Sequence, residues 1–304
     1  MESKKKILIT GGTGLVGSAL TEMLQNRGYQ VGFLSRKPGI RGAVTIYQWD
    51  INKRYIDPEA FKDVHAAIHL AGAGVADHRW TEAYKKEILD SRINSTRLLQ
   101  DYLRKYPVPH VIAASAVGYY GSCADEWLSE EHPPGNSFLA DVCQQWEKEI
   151  AALSSAGSRV AWIRIGIVLS TRGGALPVMD RPVRFGVGAY LGSGHQYTPW
   201  IHIEDLCRMF IYLMENEKLT GPFNGSAPEP LTNKDFIRAI AKALGRPFIP
   251  APGPAFALKL MLGEQADMVL MSNRTSAKKI LENGFQFRFT DPVEALKDLY
   301  AKGK

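Results

Sequence analysis

The chain has only three cysteines in 304 residues, Cys123, Cys143 and Cys207. They form no C-x-x-C pair and no even-numbered set. This excludes a disulfide framework and a cysteine-based metal site, and the three read as free thiols of a reducing compartment. Long apolar runs are also missing. No stretch reaches the ~18 residues of a membrane span, and the most apolar run, Val160 to Leu169, is interrupted by Arg164. The N-terminus has no signal-type apolar region with a small-residue cleavage site. A cytoplasmic protein with no membrane partner and no metal is therefore expected. Concentrated charge is lacking as well. The formal net charge of +6 comes from 37 Lys+Arg against 31 Asp+Glu. The only basic run, Lys4-Lys5-Lys6, leads directly into an apolar strand and reads as a solvated strand start. Without a basic stripe interleaved with aromatics, nucleic acid is excluded as a partner. There is no internal repeat and no low-complexity tract. What remains is the composition of an ordinary globular protein, 45% hydrophobic and 22% charged, long enough to bury a full core unaided.

The pattern along the chain alternates strands with helices. Lys6 to Thr10 is a β-branched run ending at Gly11. A helical pattern follows, with Leu15, Ala19, Met23 and Leu24 on one face, and it closes at Gly28. Strands are predicted at Gln30–Leu34, Val44–Gln48, Ala66–Leu70, His110–Ser115 and Val160–Leu169. Helices are predicted at Thr81–Tyr106, stopped by Pro107, and at Phe138–Ser155. Near-continuous apolar strands alternating with helices imply a parallel sheet covered on both faces. From Thr171 to Pro199 the sequence turns Gly- and Pro-rich and irregular. Helices then return at Ile203–Asn216, Thr232–Leu244, around Ala255–Leu262 and Ser276–Glu282, and at Asp291–Ala301, with an extended stretch at Phe248–Pro254. The expected fold is α/β, a Rossmann-type doubly wound parallel sheet with a smaller, partly discontinuous C-terminal α/β lobe. The expected division assigns residues 1–168 and 198–224 to the nucleotide-binding domain. Residues 169–197 and 225–304 fall to the lobe.

Thr10-Gly11-Gly12-Thr13-Gly14-Leu15-Val16-Gly17 carries the chemistry. Gly11, Gly14 and Gly17 have T-G-x-x-G-x-x-G spacing between a strand and a helix. The first allows the tight turn, the second lets the backbone approach a pyrophosphate, and the third lets the helix pack on the sheet. Helix N–H groups, with Thr13, Leu15 and Val16 in the turn, then face the phosphates. At the end of the second strand, where NAD-preferring proteins place a carboxylate, this chain has Ser35 and Arg36. A guanidinium and a hydroxyl suit a 2′-phosphate, so NADP(H) is the expected cofactor. Asp50 could accept from an adenine amino group or simply form a turn. Leu70, Ala71 and Gly72 end the fourth strand with room for a ribose, or pack tightly there.

Together with Arg164-Ile165-Gly166-Ile167-Val168-Leu169, Gly192-Ser193-Gly194-His195-Gln196, Pro199-Trp200-Ile201-His202-Ile203-Glu204-Asp205 and Asn283-Gly284-Phe285-Gln286-Phe287, these residues resemble the extended short-chain dehydrogenase/reductases. Within that superfamily the chain is similar to the atypical "epimerase family protein" group, which has its own C-terminal module. The resemblance implies cofactor positions at Ser35, Arg36, Leu70, Ala71, Glu87, Arg92 and Ile167. Read from the residues alone, Glu87 and Arg92 could equally form a solvated helix face paired with Lys85, Lys86 or Asp90. The superfamily uses a Tyr-x-x-x-Lys pair for proton transfer, and here Leu139 and Cys143 stand at those positions. Ser115 remains as a polar contact for a substrate. Tyr119 or Tyr120 is a substitute acid or a packing residue. His195, Gln196 and Tyr197, in a Gly-rich loop, are candidate substrate contacts. Asp205 reads as a helix-start residue and His202 as a hydrogen-bonded structural histidine.

Two functions follow. One is an NADP(H)-dependent oxidoreductase or epimerase acting on an unidentified small hydroxyl or carbonyl compound or a nucleotide sugar. The other is a catalytically silent NADPH-binding regulatory module. The resemblance also leaves room for a homodimer.

Overall fold

The computed structural model describes residues 5–303, so Lys4 of the basic run lies outside them. Helices form at α1 (Leu15–Asn26), α2 (Glu82–Leu103), α3 (Phe138–Ala152), α4 (Leu176–Arg184), α5 (Ile203–Glu215), α6 (Asn233–Leu244), α7 (Ala255–Leu262), α8 (Ala266–Leu270), α9 (Lys278–Glu282) and α10 (Pro292–Lys302). The chain divides into two compact units. The first comprises Met1–Ser115, Val142–Ile163 and Cys207–Pro222, and the second Ala116–Asp141, Arg164–Leu206 and Phe223–Lys304.

A nine-stranded sheet runs in the order 221–225, 159–165, 110–116, 64–69, 6–10, 30–35, 44–50, 39–41, and Tyr55–Ile56 pairs with the 44–50 strand. Strand Lys6–Thr10 is parallel to Gln30–Ser35 on one side and to Val64–His69 on the other. His110–Ala116 and Val44–Asp50 extend the parallel run on either side. The short strands 39–41 and 55–56 add antiparallel edges. The central strands are buried along their length, as with Ile7, Leu8, Ile9 and Ile68. The fold is therefore the expected α/β arrangement with a large, mostly parallel central sheet.

The second unit has its own core, in which Leu176, Val183, Trp200, Phe236, Ile240 and Leu296 are buried together. Asp205 does sit in the first turn of α5, but its buried carboxylate also accepts from the backbone N–H of Arg288 (2.9 Å) and Phe289 (2.8 Å). His202 stacks on Phe289 at 3.9 Å, and its Nδ1 accepts from the Glu204 N–H.

Several local expectations need correction. The fully buried residues of α1 are Gly17, Leu20, Thr21 and Leu24, while Leu15, Ala19 and Met23 of the expected stripe are half-buried. The cause is Gly17. A Cβ there would lie 2.4 Å from the Gly11 carbonyl oxygen, so the helix packs against the Gly11–Gly12 turn through its bare glycine. The expected strand Val160–Leu169 is two strands, Arg159–Ile165 and Ile167–Leu169. At Gly166 the backbone turns to donate to Gly225 O, and Ile167 N donates to Pro199 O. Ile167–Leu169 then pairs with Trp200–His202. The stretch 171–199, expected to be irregular, contains α4. Pro177 opens this helix and Pro182 lies within it, so its prolines hid it. Short α8 was not expected either.

One interaction locks the centre of the first unit. Thr10 Oγ1 accepts from the N–H groups of Leu70 (3.0 Å) and Ala71 (3.1 Å) and lies 2.8 Å from His69 Nδ1. With both lone pairs taken, the hydroxyl proton goes to Nδ1. This assigns the ring proton to Nε2, which meets Thr96 Oγ1 at 3.1 Å, while Thr96 donates to Arg92 O. A fully buried, neutral histidine thus ties two strand ends to α2.

Burial lowers the His69 pKa from 6.5 to about 4. Its contribution to stability is complete above pH 6.5 and is lost as the pH falls toward 4, by about 3 kcal/mol. Urea unfolding at pH 7, 5.5 and 4 should show this decline. His69→Gln, less stable at pH 7, should show a shallower one, and equal slopes would remove the assignment. Gly17→Ala should cost about 1–3 kcal/mol in the same measurement, through overpacking against Gly11 and Gly12.

Candidate functional site

In the first unit, Thr10 stands opposite Leu34 and His69 in the sheet register. Gly11, Ser35 and Leu70 therefore leave the carboxyl ends of three adjacent strands side by side. Strand Lys6–Thr10 is where the strand order reverses, the place at which open α/β sheets bind ligands. Gly11 has φ +70°, and a Cβ on it would lie 3.0 Å from the Leu70 carbonyl, so both conformation and space require glycine. Gly14 is the N-cap of α1. It provides no side-chain cap, and the first turn carries no acidic residue. Thr13 and Gly14 are exposed. The first-turn N–H groups of α1 thus lack the capping side chain that would otherwise satisfy them, and the positive end of the helix dipole faces outward.

Ser35 is half-buried and Arg36 is exposed at the end of the second strand. Asp50 is the last residue of its strand, and its Oδ1 accepts from Lys53 N at 3.0 Å, so it forms the turn. Leu70 and Ala71 are held by Thr10 as described, and Gly72 lies open beneath Arg92, whose side chain would be 3.2 Å from a Cβ there. Arg92 does not join the pairs on the α2 surface. Those include Lys85–Glu82 and Lys86–Asp90. Its Nη1 instead donates to Ala73 O (3.0 Å) and Ile88 O (2.9 Å), and its guanidinium lies 5.1 Å from the Trp146 ring centre. Glu87 is exposed.

Ser115 is buried near the end of its strand, and its hydroxyl donates to Glu147 Oε1 on α3 at 2.6 Å. Sequence reasoning missed Glu147, His69 and Trp146. The signal for His69 was a lone histidine closing the apolar run Ala66-Ala67-Ile68. Nothing in the sequence pairs residue 115 with residue 147.

In the second unit, the Tyr119-Tyr120 pair separates into two roles. Tyr120 is fully buried. Its hydroxyl donates to Asn224 Oδ1 (2.7 Å) and accepts from Arg164 Nη1 (3.0 Å), and burial pushes the phenol up to about 12. Tyr119 is half-buried with the Arg164 guanidinium 3.5 Å over its ring, and its hydroxyl has no hydrogen bond among the described residues. Ile167 is a strand residue whose N–H goes to Pro199 O. His195 is exposed. The Gln196 side chain closes its own loop by donating to Leu191 O at 2.8 Å, and Tyr197 is fixed by Ser272 Oγ at its N–H and by Arg274 against its ring.

Comparison with known proteins gives a consistent picture. The model of the NAD dependent epimerase/dehydratase family matches residues 7–224, and that of a domain of unknown function (DUF1731) matches residues 254–299. The chain is 37% identical over 291 residues to the epimerase family protein Mb2239 of Mycobacterium bovis, covering 95% of this chain and 96% of that one. It is 36% identical to YfhF of Bacillus subtilis, covering 98% and 99%. The crystal structure of the human epimerase family protein SDR39U1 with NADPH superposes with a TM-score of 0.86 at 32% identity, over 97% of this chain and 99% of that chain. With the switch-point turn at Gly11–Gly17 lying inside the matched region, this chain belongs to the NAD-dependent epimerase/dehydratase family and resembles its epimerase family proteins along nearly its whole length.

Proposed function

We propose that the protein binds NADP(H) and acts as an oxidoreductase or epimerase-like enzyme on a small hydroxyl or carbonyl compound or a nucleotide sugar. The observation that carries this reading is the uncapped start of α1 beside the exposed Arg36. The human relative of known structure holds NADPH. The residues fit such a cofactor. The first-turn N–H groups behind Gly14 would take the pyrophosphate, and Gly11 and Gly14 keep side chains out of its way. Ser35 and Arg36 would hold the 2′-phosphate, a bidentate task for which a guanidinium is suited. Leu70, Ala71 and Gly72 leave the strand end open to a ribose. Arg92, turned over Gly72, supplies a cation on the same unit.

When bound, the nicotinamide supplies a hydride donor or acceptor. Ser115 spends its proton on Glu147, so toward a ligand it offers lone pairs and accepts from a hydroxyl. In the second unit, Arg164 fixes the Tyr119 ring by a cation–π contact and leaves its hydroxyl available. Tyr120 is a poor acid, because burial and its two hydrogen bonds hold it. The second reading, a silent NADPH-binding module, is favoured by Leu139 and Cys143 at the positions where the superfamily has its Tyr–Lys pair.

Arg36→Ala should raise the Kd for NADPH about 10–100-fold, the value of a charge-assisted contact, and that for NADH less than about three-fold. Both are read by fluorescence titration, and equal losses would remove the 2′-phosphate assignment. Turnover is tested by following NADPH absorbance and sugar interconversion over a panel of carbonyl compounds and nucleotide sugars. An activity reduced about 10²-fold or more in Tyr119→Phe or Ser115→Ala supports the enzyme. Tight NADPH binding without turnover of any compound favours the module.

A further inference from the structure

In the second unit, Arg274 opens a short strand, Arg274–Thr275, that pairs in parallel with Trp127–Leu128. Thr275 and Leu128 are fully buried, and the Thr275 hydroxyl meets that of Ser226 at 2.7 Å. Side chains alternate along a strand, so Arg274 and Trp127 share the opposite face, where Trp127 is 50% exposed. The Arg274 guanidinium lies 4.3 Å from the centre of the Trp127 ring and 4.8 Å from that of Tyr197. Cation–π contacts to both rings hold it in place.

Its hydrogen-bonding capacity is almost unused. Nη1 makes one long contact, to Asp125 O at 3.4 Å. Nε is buried without a partner. Among the described residues Nη2 has no hydrogen bond and the guanidinium no ion pair. Other arginines of this unit differ. Arg184, Arg238 and Arg288 pair with Asp180, Asp235 and Glu204, and buried Arg164 donates to Tyr120 and Glu130. A buried N–H without an acceptor is costly and calls for one. Nε and Nη2 form one edge of the planar fork, which a carboxylate or phosphate fills with two parallel hydrogen bonds. Aromatic rings beside that edge lower the local dielectric and strengthen such a pair.

The edge is fixed before any ligand arrives. Cys123 N donates to Ser272 O (2.9 Å), Asn273 N to Tyr197 O (3.2 Å) and Tyr197 N to Ser272 Oγ (3.0 Å). The Ser272 hydroxyl donates to Ala124 O, and Ala124 has φ +51°. That conformation is strained for alanine and persists because the surrounding bonds over-determine it.

We infer that Arg274 anchors the substrate in the second unit, and that the substrate carries an oxyanion, a carboxylate or a phosphate, which takes the Nε–Nη2 edge beside Trp127 and Tyr197. The inference rests on the proposed enzymatic reading and narrows its substrate class, so neutral alcohols and ketones fall outside it.

The test is calorimetric titration of the full-length protein, saturated with NADPH, with uridine diphosphate and separately with glucuronate. One supplies a phosphate and the other a carboxylate. The wild type should bind at least one of them about ten-fold or more tighter than the neutral probes uridine and glucose. Arg274→Gln should lose that advantage, with NADPH affinity and thermal unfolding retained. Arg274→Lys keeps the charge without the fork and should lose at least about three-fold, and it carries the test if Arg274→Gln fails to fold. Binding should quench tryptophan fluorescence in the wild type and not in Trp127→Phe. NADPH binding with no preference for either anion would overturn the inference and leave the cofactor reading intact. So would anion binding that both Arg274 variants retain, or a quench that persists in Trp127→Phe. A wild type that binds no NADPH is the separate result that removes the cofactor reading.

Discussion

The hydroxyl of Thr10 meets three partners, and the first unit is organised around that meeting. Two backbone N–H groups from the neighbouring strand end fill its lone pairs, and a buried histidine takes its proton. The arrangement works only with a neutral ring, because a proton on Nδ1 would face the Thr10 proton in a fully buried site. Through Nε2 and Thr96 the same ring reaches the backbone of α2 at Arg92. Strand ends, glycine turn and long helix are thus set relative to one another by a single polar chain inside an apolar core. With the turn held by neighbours behind it, the front of α1 needs no capping side chain, and its N–H groups stay available for an anion.

The second unit uses buried polar groups in the same way. Arg164, 3% exposed, donates to the Tyr120 hydroxyl and to Glu130 O, and the Glu130 carboxylate accepts from Asn224 N at 2.7 Å. Asp205 replaces missing backbone partners for the segment at Arg288 and Phe289. Such groups are costly to leave unsatisfied, so each fixes the segments it joins. Tyr119 and Tyr120, adjacent in sequence, end with different chemistry because Asn224 and Arg164 close on one hydroxyl and not on the other.

The proposed function and the stability of the fold therefore draw on different parts of the chain. The exposed Arg36 and the bare Gly14 contribute little to the core and keep their hydrogen-bonding capacity. His69, Glu147, Tyr120 and Gln196 have theirs taken by neighbours.

The linear sequence was enough for the alternation of strands and helices, the glycine turn and the Ser35–Arg36 end of the second strand. These depend on local periodicity, on backbone freedom at Gly11 and on residues next to one another in the chain. It also located most helix ends, since caps such as Thr81, Thr232 and Asp291 act within one turn. The fully buried face of α1 came from packing in the folded chain, because a contact between Gly17 and Gly11 sets it and periodicity does not. The break at Gly166 depends on Pro199 and Gly225, and α4 forms despite its prolines because its apolar face packs on the core around Trp200 and Phe236. The pairing of Ser115 with Glu147, the neutral His69 and the split between the two tyrosines join residues 27 to 104 positions apart. No local rule carries that information, because the hydrogen-bond partner of a buried group is chosen by the folded packing around it.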